Sequence, residues 1–211
     1  MKIKWLGHAC FLLTSENGTR VVTDPYDNTV GYRMEKIEAE IVSTSHDHFD
    51  PNYVDMIDGN AKHVKGEGKI NIDGIEITGV ASFHDECKGA KRGKNDIFKF
   101  RIDGIDVCHL GDLGHILNDK QLREIGNVDV LMIPVGGVYT IDYKGAIEVM
   151  NLIHPSITIP MHYKTPALTF EVDGVEKFLS ATGGQHIGKQ EIKLTKDEIG
   201  NWPKVIALDY Q

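Results

Sequence analysis

The chain has 211 residues, with 23 Lys and Arg against 31 Asp and Glu, for a formal net charge of −8. That acidity argues against a nonspecific nucleic-acid binder, which needs a basic surface, but leaves room for an enzyme that grips an anion in one local pocket. A composition of 41% hydrophobic and 26% charged residues is that of a folded globular chain.

Residues Ile3 to Leu13 and Thr19 to Thr23 are apolar and β-prone, and the turn Glu16-Asn17-Gly18 joins them as a hairpin. Glu40 to Ser45 reads as a short strand, and Asp50-Pro51 as a helix start, with Asp at the N-cap and Pro at the first helical position. Lys69 to Phe83 holds two strands about Asp73-Gly74, and Phe98 to Leu110 repeats that hairpin about Asp103-Gly104. Asn118 to Ile125 is expected to be a helix with Asn118 as its cap. Val128 to Val135 is a nearly continuous apolar run and reads as a buried central strand. Asp142 to Ile153 is amphipathic and helical, and stops ahead of His154-Pro155 because the residue before Pro leaves the helical region. A buried strand at Ile157–Met161, a helix at Val175–Ala181 and a last strand at Lys204–Tyr210 complete the pattern. No linker-like or low-complexity tract interrupts it, so residues 1–211 are expected to form one mixed α/β domain of two sheets with helices outside.

The chemistry concentrates in histidine, of which there are ten against three cysteines. Cys10, Cys87 and Cys108 form neither a disulfide framework nor a zinc-finger spacing. The segment Ser45-His46-Asp47-His48-Phe49-Asp50 follows a strand and precedes a helix start. Two imidazoles and a carboxylate on such a loop offer the donors that zinc, iron or manganese accept, against the plainer reading of a polar loop whose Asp50 caps a helix. His84, Asp112 and His162 each follow another strand. One histidine after a strand is usually structural; four strand ends that all deliver His or Asp point to a metal centre.

These residues, with Leu6-Gly7-His8-Ala9-Cys10-Phe11, Thr23-Asp24-Pro25, Phe83-His84-Asp85, Arg92-Gly93-Lys94-Asn95, His109 to His115, Pro134 to Gly137 and Ile159 to Tyr163, resemble the metallo-β-lactamase superfamily. The similarity runs along most of the chain. It points to the branch of small metal-dependent hydrolases that includes the ascorbate-6-phosphate lactonase-like proteins. The resemblance implies a four-layer αββα sandwich of two mixed sheets with outer helices. It implies a metal position held by His46, His48 and His84, a second held by Asp50 and His162, and Asp112 as a bridge. Where the family motif continues with a further His, this chain has Pro51, which supplies no donor, so the second position is expected to be weaker or to be completed by another group such as His8.

The implied activity is that of a metal-dependent hydrolase. A metal-bound hydroxide attacks a carbonyl or phosphoryl centre of a small metabolite, a phosphorylated one included: a lactone, ester or phosphodiester. Asp50 and Asp112 would serve both as ligands and in catalysis, with Asp50 freed to orient water or move a proton where one metal is bound. His8 is either a core histidine or a pocket residue. Asp24 is either a turn residue before Pro25 or a support for the ligand loop. Lys91, Arg92, Lys94 and Asn95 form a basic, Gly-broken segment that reads either as a solvated loop, Lys91 above all, or as a contact for an anionic substrate through Arg92, Lys94 or Asn95. His109 and His115 either support the site or pack. Gly136-Gly137 permits a close backbone approach. The cofactor is expected to be zinc, as one or two divalent ions, with Mn, Fe and Ni compatible with the same donors. The alternatives are a metal-binding protein with little hydrolysis and a nuclease-like phosphodiesterase, the latter disfavoured by the charge. With no secretory apolar core near the N-terminus and no run approaching ~18 apolar residues, a cytoplasmic setting is expected, with no membrane or nucleic-acid partner. Self-association as a homo-oligomer is left open.

Overall fold

Turn chemistry and side-chain alternation lay out the strands in the computed structural model, which describes residues 1–33, 35–46 and 57–210. The N-terminal part contains β1 (Lys2–Gly7), β2 (Cys10–Thr14), β3 (Arg20–Thr23), β4 (Ile37–Glu38), β5 (Ile41–Ser43), β6 (Ile57–Asp58) and β7 (Lys62–Val64). Two hairpins follow, made by β8 (Gly68–Ile72), β9 (Ile75–Phe83), β10 (Lys94–Ile102) and β11 (Ile105–His109). Then come α1 (Asp119–Ile125), β12 (Val130–Pro134), α2 (Tyr143–Ile153), β13 (Ile157–Met161) and α3 (Glu176–Thr182). The chain ends with β14 (Gln185–His186), β15 (Glu191–Lys193) and β16 (Ile206–Ala207).

Two six-stranded sheets dominate, in the orders β15-β1-β2-β3-β5-β7 and β13-β12-β11-β10-β9-β8. Both are mixed. In the first, β1, β2 and β3 pair antiparallel, and β3, β5 and β7 pair parallel. In the second, β8 to β11 form an antiparallel meander, and β11, β12 and β13 pair parallel. It follows that β1, β3, β5 and β7 all run one way in the first sheet. Likewise β9, β11, β12 and β13 all run one way in the second. Each sheet therefore collects several strand carboxyl ends along a single edge.

The main core lies between the sheets and joins Ile3, Trp5, Phe11 and Val21 to Ile77, Phe98, Phe100 and Val107. All five residues of β12 are buried, because α2 covers its other face with Ala146, Val149 and Met150. A second cluster, including Leu6, Val22, Tyr26, Tyr32, Val42 and Leu168, is built on other residues of the first sheet and its loops. This is the mixed α/β sandwich that the sequence implies.

Local details follow the sequence closely. Asn118 closes α1 with a capping box shared with Gln121, and Asp142 caps α2 through Lys144 N and Gly145 N. His154 ends α2 in a left-handed conformation before Pro155. Two expectations need correction. Ile3–Leu13 is not one strand: the chain reverses at Gly7-His8-Ala9, and β1 pairs with β2. The apolar run hides the reversal because both arms face buried surroundings. The last strand is confined to Ile206–Ala207, which pairs parallel with β14. The helix start expected at Asp50-Pro51 lies outside the described residues.

Candidate metal centre

The collected strand ends build one cleft. His8 sits in the reversal after β1, Asp24 follows β3 and His46 follows β5. From the second sheet, His84 follows β9, Asp112 follows β11 and His162 follows β13. A cavity of about 590 Å³ is lined by all six, together with Lys91, Arg92, Tyr139 and Phe170.

Asp112 is at the focus. Its Oδ2 lies 3.5 Å from His46 Nε2, 3.2 Å from His84 Nε2 and 3.4 Å from His162 Nε2. Burial works against the charged carboxylate, but the neighbouring His162 and His46 hold it well below the usual carboxylate range. For His84, burial disfavours the imidazolium, and the Asp112 carboxylate outweighs burial and raises the pKa.

The donor atoms fall into two groups that share Asp112: His46, His84 and Asp112, and His8, Asp112 and His162. Within each group all the atoms lie within 4.8 Å of one another. Among the described residues, the buried Asp112 Oδ1 and His162 Nδ1 have no hydrogen-bond partner. Buried polar atoms are rarely left so. Three imidazole nitrogens crowd one carboxylate oxygen while its second oxygen has no partner, an arrangement that a cation among them would satisfy. Nitrogen and oxygen donors of this kind suit zinc and its first-row neighbours.

The support around the donors fixes their orientation. The Asp24 carboxylate accepts from Ser45 N at 2.7 Å and from Ser45 Oγ at 2.6 Å. Ser45 Oγ spends its only proton on Asp24, so at 2.8 Å it must accept from His46 Nδ1. In the neutral imidazole that leaves the lone pair on Nε2, the atom that faces Asp112. Asn95 is fully buried. Its Nδ2 donates to Ser82 Oγ (2.7 Å) and Leu110 O (2.9 Å), and its Oδ1 accepts from Asp112 N (2.9 Å). Gly111, at φ +57°, lets this loop close: a Cβ there would meet Asn95 Oδ1 at 2.4 Å and Ser45 Cβ at 2.5 Å. Gly136 allows the same kind of approach, since its Cβ would meet His162 O at 2.2 Å. His109 accepts from Gly111 N through Nδ1 and therefore donates through Nε2 to Ala9 O, tying the two sheets together.

Cations reach the cleft through a loop built by Asp85. Its carboxylate accepts from the main-chain N–H groups of Cys87, Gly89, Lys91 and Arg92 at 2.7–2.8 Å. Burial would raise its pKa, but those four donors hold it at about 2. Arg92 Nη2 then donates to Val138 O at 2.8 Å, and its guanidinium stands 5.6 Å from the Tyr139 ring centroid.

A family profile described as the beta-lactamase superfamily domain matches residues 2–162. The chain belongs to this family. A crystal structure from Thermotoga maritima, of a candidate Zn-dependent hydrolase of the metallo-β-lactamase superfamily, is 40% identical. It superposes with a TM-score of 0.84 over 100% of this chain and 99% of its own. A UPF0173 protein of Pyrococcus abyssi is 32% identical over 78% of this chain and 84% of its own. A UPF0173 metal-dependent hydrolase of Thermoplasma acidophilum is 29% identical over 92% of this chain and 96% of its own.

Within this superfamily frame, the cleft gathers His46, His84, Asp112, His162 and His8. His48 and Asp50 lie outside the described residues, as does Pro51. Asn95 is corrected from a substrate contact to a positioning residue, because its amide is buried and turned onto protein partners. Lys91 and Arg92, rather than Lys94, are the Lys and Arg residues lining the cleft. Sequence reasoning missed Ser45, whose hydroxyl orients His46, and Phe170, whose ring stands against His8 and His162. Asn95 had a signal of its own, since Asn is disfavoured inside a strand. Phe170 had none.

Proposed function

We propose that this chain is a divalent-metal hydrolase that opens a lactone, ester or phosphodiester bond in a small anionic metabolite. The single observation that carries the reading is the convergence of three imidazole Nε2 atoms on the buried Asp112 carboxylate, within a cleft that also holds Lys91 and Arg92. The metal-dependent hydrolases among its relatives support the same reaction class. His46, His84, His162 and Asp112 would hold the metal, and the sequence adds His48 and Asp50 as further donors. A divalent ion bound there lowers the pKa of water towards ~7 and stabilises negative charge that develops on the substrate. Zinc fits these donors, and Mn, Fe and Ni accept the same set.

The chain's own residues supply the rest. Ser45 and Asp24 fix the ring of His46 so that in its neutral form the proton sits on Nδ1 and Nε2 is the donor atom towards Asp112. Asn95 fixes the main chain at Asp112. Arg92, braced on Val138 and Tyr139, and Lys91 hold the substrate's anionic group at one side of the cleft. Tyr139, Phe170 and Val30 line the cavity and displace water from the apolar part of the substrate.

The test combines metal content with turnover. Protein purified without chelator should contain divalent metal and hydrolyse an activated ester or bis(nitrophenyl) phosphate. Asp112→Ala and His84→Ala should remain folded and lose at least 100-fold in rate. Metal-loaded wild type with no turnover on any of a panel of phosphorylated lactones, esters and phosphodiesters would overturn the reading.

A further inference from the structure

His8 is the cleft histidine whose placement the reading above does not use. It occupies the reversal between β1 and β2 in a left-handed conformation, φ 52°. His162, across the cleft after β13, has the same φ of 52°. A β-carbon-bearing residue adopts this region at a cost in free energy, and such outliers cluster where a side chain must be aimed. Here the two outliers are joined: His162 N donates to His8 O at 3.1 Å. The same His8 carbonyl accepts from the Trp5 indole at 3.1 Å, which pins the reversal to the core. The main chains of the two histidines thus meet directly, and their rings follow, with centroids 4.2 Å apart. Phe170 stands edge-on to His8, with ring centroids 5.3 Å apart.

The donor geometry supplies the second observation. His8 is 8% exposed, and its ligand atom lies within 4.8 Å of those of both Asp112 and His162. This group has the composition of its neighbour, His46, His84 and Asp112: two imidazoles and one shared carboxylate. Three protein ligands with an open position is the pattern of a catalytic zinc site. We infer that His8 is a metal ligand, completing with His162 and Asp112 a second divalent-cation position beside that of His46, His84 and Asp112. The inference rests on the metal-centre reading above. It predicts a dinuclear centre in which Asp112 serves both ions and the first strand reversal contributes a ligand.

Zinc titration of chelator-treated protein tests this without a substrate. The readouts are calorimetry, metal analysis after removal of excess zinc, and the visible spectrum on cobalt substitution. Wild type should bind two equivalents and show a two-step cobalt titration. His8→Asn keeps a residue that tolerates the left-handed region and removes the imidazole; His8→Gly removes the side chain and the strain together. Both variants should bind one equivalent, with the second lost or weakened at least tenfold, while circular dichroism of the metal-free protein is unchanged. His162→Asn should reproduce that loss. Two equivalents at wild-type affinity in both His8 variants would overturn the inference, as would a wild type that saturates at one equivalent unaffected by His8. A wild type that binds no metal would overturn the metal-centre reading and this inference with it.

Discussion

Replacing Asn95 with Ala should unfasten Asp112 without touching any proposed ligand. Asn95 is buried, and its amide bonds Ser82 Oγ, Leu110 O and Asp112 N. Truncation leaves the Asp112 N–H and the Leu110 carbonyl without this partner. Ser82 Oγ still donates to Asn95 O, which the substitution preserves. Each buried polar group left unsatisfied costs about 1–3 kcal/mol, so the loss should be about 2–6 kcal/mol. For a chain of this length 1 kcal/mol moves the melting temperature by roughly 2–4 °C, which places the drop near ~12 °C. Loss of support behind a metal ligand weakens affinity by about 10–100-fold. Zinc titration and thermal melts of Asn95→Ala measure the two effects. Ser82→Ala is the comparator: it removes a neighbouring bond and leaves Asn95 on Asp112, so it should cost stability and keep zinc affinity within about twofold. An Asn95→Ala protein with wild-type zinc affinity, or a Ser82→Ala protein equally weakened, would refute the reasoning.

Two further outcomes follow from the same geometry. Gly111→Ala forces a Cβ to within 2.4 Å of Asn95 Oδ1 and 2.5 Å of Ser45 Cβ, so metal content should fall further than in Asn95→Ala; retention of full metal would contradict the close approach. Burial pushes the Cys108 thiol up to about 12, against the opposing pull of Lys99, and raises Cys10 well above its usual value. Both are therefore neutral thiols at pH 8, and the exposed Cys87 alone should react with a thiol reagent in the native protein; labelling at Cys10 or Cys108 before denaturation would refute this.

The meeting of His84, Asp112 and His162 in one cleft was foreshadowed in the sequence because each stands at or just past the end of an apolar strand, where a side chain can be aimed at a fixed point. The hairpins at Asp73-Gly74 and Asp103-Gly104 were readable because their turn residues admit the required backbone. The reversal at His8 was not, because apolar residues continue on both sides of it and no Asn-Gly or Asp-Gly marks it. The partners of Asn95, Ser45 and Phe170 were also hidden. Each has a partner distant in the chain, Asp112 for Asn95, Asp24 for Ser45 and His8 for Phe170, and local pattern carries no information about such pairs. His109 could be narrowed only to supporting or packing, and its bonds to Ala9 and Gly111 decide for support.

The centre belongs to neither sheet alone. His8, Asp24 and His46 come from the first, and His84, Asp112 and His162 from the second. With the proposed ligands drawn from both sides, ion binding and the docking of the two sheets would be one coupled equilibrium. An ion present at 100 times its dissociation constant adds about 2.7 kcal/mol to the folded state. Its removal should loosen the seam between the sheets before either sheet's own ladder, so an ion held there would clasp the sandwich as well as supply its chemistry.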